Sequence, residues 1–340
     1  MSKSRSAPGR RSRHAPNIKD VARLAGISAI TVSRALSQPG KVAKATRARI
    51  EQAIRKTGYI RNLSASVLVS RRSQVIGVIT PTLTTSIFGQ TLQGLADVFR
   101  PQSYELLITD TQYSAVNARA AATALIARQV DAIVHIGAIE DTKTRTLIRR
   151  QGVPVVETWD MPAKPLQFVV GISNREAGEL VAAHFLTTRR REIAFVGSND
   201  ARAMMRMKGF VDRLARADVK ASVFLSGDQP SFGLGRTLLQ KALAERASLH
   251  AVFCASDILA VGALLEAQHC GLRVPEDLAI VGLGDLEIAG HTSPALSTIH
   301  VPAYEIGTHA ASMLLAFFKQ PKPPERIVKL PVELTVRQSS

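Results

Sequence analysis

The stretch Ile18-Lys19-Asp20-Val21-Ala22-Arg23-Leu24-Ala25-Gly26-Ile27-Ser28-Ala29-Ile30-Thr31-Val32-Ser33-Arg34 decides how the first part of this 340-residue chain folds. Ile18, Val21, Ala22, Leu24 and Ala25 recur at helical spacing and predict a short amphipathic helix over 18–25. Gly26 tolerates the positive φ of a tight turn, and Ser28 is placed to cap a second helix running to about Leu36. This is a helix-turn-helix. Ala22, Ile27 and Val32 face inward, and the second helix carries Ser28, Ala29, Ile30, Thr31, Ser33 and Arg34 toward a partner. Its short side chains permit close approach to a DNA major groove, where Arg34 reaches a guanine edge or a phosphate. A third helix over 44–57, with Ile50, Ala53 and Ile54 inward, closes the small core. A chance amphipathic hairpin would not also place Gly, Ser and Arg at these offsets.

Working outward, the charge distribution supports the same reading. Residues 1–74 hold seventeen Lys/Arg against only Asp20 and Glu51, whereas residues 75–340 hold 27 against 25. A near-neutral body therefore carries a small, strongly basic head. Such self-repulsion is tolerated where phosphate neutralisation and counterion release repay it. Residues 1–16 read as a disordered basic arm, 17–61 as the DNA-binding domain, 62–73 as a hinge helix and linker, and 74–340 as the body.

The body has the composition of a soluble globular protein, with 46% hydrophobic residues overall. Cys254 and Cys270 form no CxxC and have no paired histidine spacing, so neither a disulfide framework nor a zinc site is expected. No apolar signal core follows the basic N-terminus and no stretch reaches membrane-spanning length, so the expected location is the cytoplasm, on the nucleoid. From residue 75 onward, short β-branched strands (75–79, 105–109, 132–136, 153–157, 193–196, 251–254 and 279–281) alternate with helical segments such as 118–128 and 176–186. That alternation predicts an α/β body with parallel sheets and right-handed crossovers.

Polar residues gather after these strands. Thr82 and Phe88 follow the first, Tyr113 the second, Glu157 and Asp160 the fourth. Asn174 follows Val169 to Ile172, Arg202 and Arg206 precede Gly209, and Ser256 and Asp257 follow Cys254. Each is by itself an ordinary capping or turn residue.

The run from Ile18 through Arg34, the later Gly58-Tyr59-Ile60-x-Asn62 and the basic head on a large α/β body resemble the lactose repressor family of bacterial transcription regulators. The resemblance covers about Asn17 to Arg337. It implies a small all-α helix-turn-helix head on a periplasmic-binding-protein-like body of two parallel-sheet subdomains, joined by three crossings near 170–173, 300–303 and 320–326. It also implies a homodimer that binds double-stranded operator DNA and a small effector in the cleft between subdomains, with no cofactor and no metal. Tyr59 and Asn62 fall on its DNA-binding segment. The hinge Asn62-Leu63-Ser64-Ala65-Ser66-Val67-Leu68 makes Leu68 the minor-groove wedge and Ala65 its close-packing neighbour. Arg61 stands where many members have proline.

In the same alignment Arg206 occupies the effector-gripping position, with Arg202 one helical turn earlier, and two guanidiniums in one cleft suit a carboxylate. Gly284 stands where sugar- and purine-responsive members usually carry an effector-binding Asp. Together with Thr82-Leu83-Thr84 and the Pro154 to Asp160 segment, this resembles the gluconate repressor branch. The effector-binding set is then Thr82, Phe88, Tyr113, Glu157, Asp160, Asn174, Arg202, Arg206, Ser256 and Asp257, for gluconate or a related sugar acid. The same head and body also suit a regulator responding to a different small metabolite.

Catalysis finds little support. The eight histidines show no HExxH pairing, no Gly-x-Ser-x-Gly elbow or Walker A loop is present, and Gly282-x-Gly284 lacks the third glycine of a dinucleotide fingerprint. A DNA-modifying enzyme with a helix-turn-helix head is the alternative of a different class, and it lacks an acidic metal cluster. A solute-binding protein would fit the body but leaves the head unexplained.

Overall fold

The computed structural model describes residues 15–60, 72–246, 248–320 and 325–340, in two compact units divided after Ser73. In the first unit, α1 (Ile18–Ala25), α2 (Ala29–Ser37) and α3 (Lys44–Thr57) enclose a core of Val21, Ala22, Ala25, Val32, Ala35, Ile50 and Ala53. Asn17 caps α1: its Oδ1 accepts from Lys19 N at 2.9 Å, while the Asp20 carboxylate accepts from Asn17 N at 3.0 Å. Gly26 ends α1 in the left-handed conformation, and the Arg49 guanidinium from α3 donates to the freed Ala25 carbonyl. The helix-turn-helix geometry is thus set by one glycine and one long-range cap.

The second unit contains two six-stranded sheets. One has the order β11-β5-β4-β3-β1-β2 and comprises β1 (Val75–Thr80), β2 (Glu105–Asp110), β3 (Ala132–Ile136), β4 (Val155–Trp159), β5 (Phe168–Gly171) and β11 (Ile327–Lys329). All its pairings are parallel. The other has the order β12-β10-β9-β8-β6-β7, from β6 (Ile193–Ser198), β7 (Ala221–Ser226), β8 (Ala251–Cys254), β9 (Ala279–Gly284), β10 (Ser297–His300) and β12 (Glu333–Thr335). Its edge strand β12 runs antiparallel to β10, a departure from the all-parallel expectation. The near-continuous apolar runs of β3, β8 and β9 follow from burial on both faces.

The helices are α4 (Ser86–Phe99), α5 (Ala115–Ala127), α6 (Thr142–Gln151), α7 (Asn174–Thr187), α8 (Ala201–Ala215), α9 (Phe232–Glu245), α10 (Asp257–His269) and α11 (Ala303–Lys319). α7 packs on α8 with their backbones in direct contact. Gly178 lies against the Arg206 carbonyl and Gly209 against the Arg175 carbonyl, so a side chain at either position would overlap main chain. This approach fixes the helix that carries both arginines of the cleft.

The chain crosses between the sheets three times. After β5 it enters α7, and after β10 it enters α11, which packs on α4 beside the first sheet. The third crossing is Leu330-Pro331-Val332, between β11 and β12, rather than 320–326. The prolines of 321–324 suggested a linker there, but residues 325–329 are still in the first subdomain, where β11 pairs with β5.

Candidate functional site

In the head, the exposed face of α2 presents Ile30, which is 71% exposed, beside Ser33 and Arg34. Ser28 caps α2 by accepting from Thr31 N at 3.2 Å, and its hydroxyl bonds that of Thr31 at 2.9 Å. These two residues shape the helix start that would approach DNA. Ala29 and Tyr59 are half-buried and pack on the head core. Asn62, Ala65 and Leu68 lie outside the described residues.

The body's cleft follows from topology. Both sheets have the strand order in which connections leave in opposite directions from the first and third strands of a unit, opening a crevice at the strands' carboxyl ends. The strand ends, short turns and helix starts there supply Ile87 and Phe88 from α4, Ser198, Asp200 and Arg202 from the end of β6 to the start of α8, and Ala255, Ser256 and Asp257 from the turn after β8 to the start of α10. Arg206, Trp159 and Tyr113 complete the polar and aromatic part of the wall. Tyr113 and Trp159 have φ of 59° and 71°, conformations that bulky residues hold only when the surroundings enforce them. Trp159 is enforced by its indole donating to Thr91 Oγ1 at 3.1 Å and by edge contact with Phe88 at 5.1 Å.

The two guanidiniums differ. Arg206 is 8% exposed; its Nε donates to Asn174 Oδ1 at 2.8 Å and its Nη1 to the Ala255 carbonyl at 2.7 Å. Burial pulls its pKa down to about 10, against the opposing pull of Asp200, so it stays charged at neutral pH. Arg202 is equally buried and lies over the Phe88 ring at 5.3 Å, and its Nη1 has no acceptor among the described residues. Asp160 accepts from Ala138 N at 3.0 Å and Asn174 Nδ2 at 2.8 Å; burial raises its pKa, and Arg202 opposes that rise. Asp200 caps α8 by accepting from Arg202 N and Ala203 N. Burial would raise its pKa, yet Arg202 and the Ser198 hydroxyl hold it below the ordinary carboxylate value. The cleft thus sets Arg202 and Arg206 beside Asp200 and Asp160 under aromatic walls, and burial favours the neutral form of Asp160.

Comparison with known proteins places this geometry. Residues 17–62 match the profile of bacterial regulatory proteins of the lacI family, and residues 182–340 that of the periplasmic binding protein-like domain. The HTH-type transcriptional regulator GntR of Pseudomonas aeruginosa is 34% identical over 328 residues, which is 96% of each chain. The chain belongs to the lacI family. Another relative, the HTH-type transcriptional regulator IdnR of Escherichia coli, is 31% identical over 90% of this chain and 93% of its own. A LacI family transcriptional regulator from Silicibacter pomeroyi superposes with a TM-score of 0.90 at 27% identity, covering 95% of this chain and 99% of that one.

As a lacI-family protein the chain is a DNA-binding transcriptional regulator, and these relatives are regulators rather than enzymes. Among the described residues, no helix is long and apolar enough to cross a membrane.

Of the residues expected to bind effector in this lacI-family body, the structure gathers Phe88, Tyr113, Arg202, Arg206, Ser256 and Asp257 around one cavity. Asp160 lines an adjoining chamber, and Asn174 stands one hydrogen bond behind, between Asp160 and Arg206. Two residues are not brought to the cavity. Glu157 lies two residues inside β4, which extends to Trp159, and its side chain points to the opposite sheet face. There Oε1 accepts from Ile139 N at 2.8 Å and Oε2 from Leu166 N at 2.6 Å. Thr82 is buried in a local turn, its hydroxyl shared with Thr84. Asp200, Ser198 and His135 were not singled out from sequence; Asp200 was findable as an Asp immediately before a helix.

Asp257 borders the cavity, but both its oxygens are engaged: Oδ1 by the Thr298 hydroxyl at 2.5 Å, Oδ2 by Leu286 N at 2.8 Å. Burial raises its pKa to about 6, against those two hydrogen bonds. The folded state therefore binds a proton here more tightly than the unfolded chain. The charged form carries its burial cost above about pH 6, and that cost disappears as pH falls toward 4. Asp257→Asn keeps an acceptor for Leu286 N and a donor for Thr298 Oγ1. The variant is expected to be more stable at pH 7 by about 2 kcal/mol, with the advantage fading toward pH 4. Urea unfolding at pH 4.5 and 7 checks this; an equal difference at both pH values rules it out. Gly284 has φ of 138°, and a Cβ there would meet Asp257 Oδ2 at 3.3 Å, so an aspartate in its place would be both strained and charge-repelled.

In the head, Arg34→Ala is expected to weaken operator binding by about 10- to 100-fold with the melting temperature nearly unchanged. Fluorescence anisotropy on the cognate operator measures it, and unchanged affinity would remove Arg34 from the interface.

Proposed function

We propose that this lacI-family regulator is a homodimeric, cytoplasmic repressor of genes for gluconate or a related sugar acid, which it senses in the body's cleft. The observation that carries the reading is the pair of buried guanidiniums, Arg202 and Arg206, in a cleft with glycine at position 284. A buried guanidinium with an unused donor, as at Arg202 Nη1, is costly, and a carboxylate is the partner whose planar geometry matches it. The relatives named GntR and IdnR lend the same direction. A single recognition helix per head reads only a half-site, so two copies on a two-fold operator are the economical assembly. The hinge residues Ala65 and Leu68 complete the DNA-facing set by family resemblance.

Isothermal titration of the full chain tests the effector. D-gluconate is expected to bind at least about 30-fold more tightly than the neutral polyol D-glucitol, which brings no carboxylate to the guanidiniums. The one tryptophan of the chain, Trp159, lines the cleft, so its emission should change in step with the heat signal. Equal affinity for acid and polyol would reject the sugar-acid reading, leaving the regulator assignment intact. For control of the head, the effector must also bind two subdomain arrangements unequally.

A further inference from the structure

Tyr113, Asp200 and Arg202 wall two chambers at once. The cavity described above sets aromatic and aliphatic side chains, including Ile87, Phe88 and Leu286, beside an equal share of polar surface from groups such as Ser198, Asp200 and Ser256. The second chamber lies at the carboxyl ends of the first subdomain's strands; most of its surface is apolar, and Thr111, His135, Asp141 and Asp160 set polar groups into it. Arg202 stands at the neck between them. Its Nη1 is buried without an acceptor among the described residues, next to Gly137, where an added Cβ would meet it at 3.5 Å. Asp160 is close enough for its charge to be felt, but it forms no hydrogen bond with Arg202 and accepts instead from Ala138 N and Asn174 Nδ2. A buried cationic donor with no acceptor is costly, and such a group in a native protein marks the place of a missing partner.

We infer that Arg202 alone anchors the effector's carboxylate at the neck and that the second chamber is the subsite for its hydroxylated tail, which selects open-chain polyhydroxy monocarboxylates. This rests on the sugar-acid reading above and divides its labour. Arg206 is a positioning residue, spent on Asn174 and the Ala255 carbonyl. The tail chamber offers acceptors. With Nδ1 of His135 against the Gly137 carbonyl at 2.8 Å, the ring proton belongs on Nδ1, leaving Nε2 to accept from a hydroxyl. Burial lowers the His135 pKa to about 4, so the ring stays neutral and keeps that role at neutral pH. Asp141, Asp160 and Asp200 face the same space, and their charge opposes any second anion entering it. A dicarboxylate of equal length would set its far carboxylate against these aspartates, a neutral polyol would give Nη1 only an uncharged hydroxyl acceptor, and a short hydroxy acid would leave the chamber's acceptors unused.

The test is calorimetry of the full chain with D-gluconate, D-glucarate, D-glucitol and glycolate. Gluconate is expected to exceed glucarate by at least about tenfold and glycolate by about 100-fold. Arg202→Gln should lose about 30-fold or more for gluconate while leaving glucitol unchanged, with Arg202→Lys intermediate because a point charge replaces the planar fork. Thermal midpoints check that the variants fold, and if Arg202→Gln does not, the lysine variant and the wild-type ligand series decide. Gluconate binding by the wild type with glucarate equally tight, or with either Arg202 variant binding gluconate as tightly as the wild type does, overturns this inference and leaves the sugar-acid reading standing. No binding of any monocarboxylate by the wild type overturns both.

Discussion

Glu157→Ala is expected to destabilise the body by about 3 to 5 kcal/mol while leaving effector affinity of the folded protein unchanged. The carboxylate is fully buried and accepts from Ile139 N and Leu166 N, with the Arg145 guanidinium at 3.5 Å. Arg145 in turn donates to the Ile139 and Lys164 carbonyls, so one side chain joins two loops through a second. Removing it strands two backbone donors and a partly buried cation. A shift in the urea midpoint with an intact gluconate isotherm is the expected pair of results. The reverse pair, normal stability with lost effector binding, would return Glu157 to the cleft as the sequence reading had it.

Gly209→Ala carries the second large effect. The added methyl would overlap the Arg175 carbonyl, and neither backbone can yield without separating α7 from α8. Overpacking of this kind costs about 3 kcal/mol. For a body of this size the melting temperature should fall by about 6 to 12 °C. Because α8 carries Arg202 and Arg206, the response of Trp159 emission to gluconate should weaken as well. Lys208→Ala, one residue away, is the control expected to change neither. A Gly209→Ala variant with wild-type melting would show that the helices are not held by this contact.

The head was legible because its signals are local. Gly26, Ser28 and the apolar spacing of α1 act within a few residues of one another, and the helices of the structure start and stop within about a residue of expectation. Most strands of the body were legible for a similar reason, since burial on both faces writes a continuous apolar run. β11 and β12, three residues each, are too short to show any periodicity; they exist because β5 and β10 offer edges to pair with. β7, whose burial is only partial, gave no such run. In the cleft, Arg202 and Arg206 were found through the family pattern, whereas Glu157 was misplaced. The strand runs two residues further than its β-branched part suggests, so Glu157 sits inside the sheet instead of beyond its end, and its carboxylate is taken up by Ile139 N and Leu166 N. The pairing of Arg206 with Asn174 joins residues 32 positions apart, a relation that no local signal encodes.

The three crossings also determine how this body can come apart. The first sheet is not complete until residues 327–329 are in place, and α11, which covers part of it, follows a strand of the second sheet. No contiguous half of the chain therefore holds a whole subdomain. Synthesis from the N-terminus cannot deposit one finished lobe and then the next, as strings of independent domains do. Completion of both lobes must await β11 and β12, residues 327–335, and unfolding should be shared between them. A single melting transition is the outcome for the body, so that a ligand touching either wall of the cleft stabilises both sheets together.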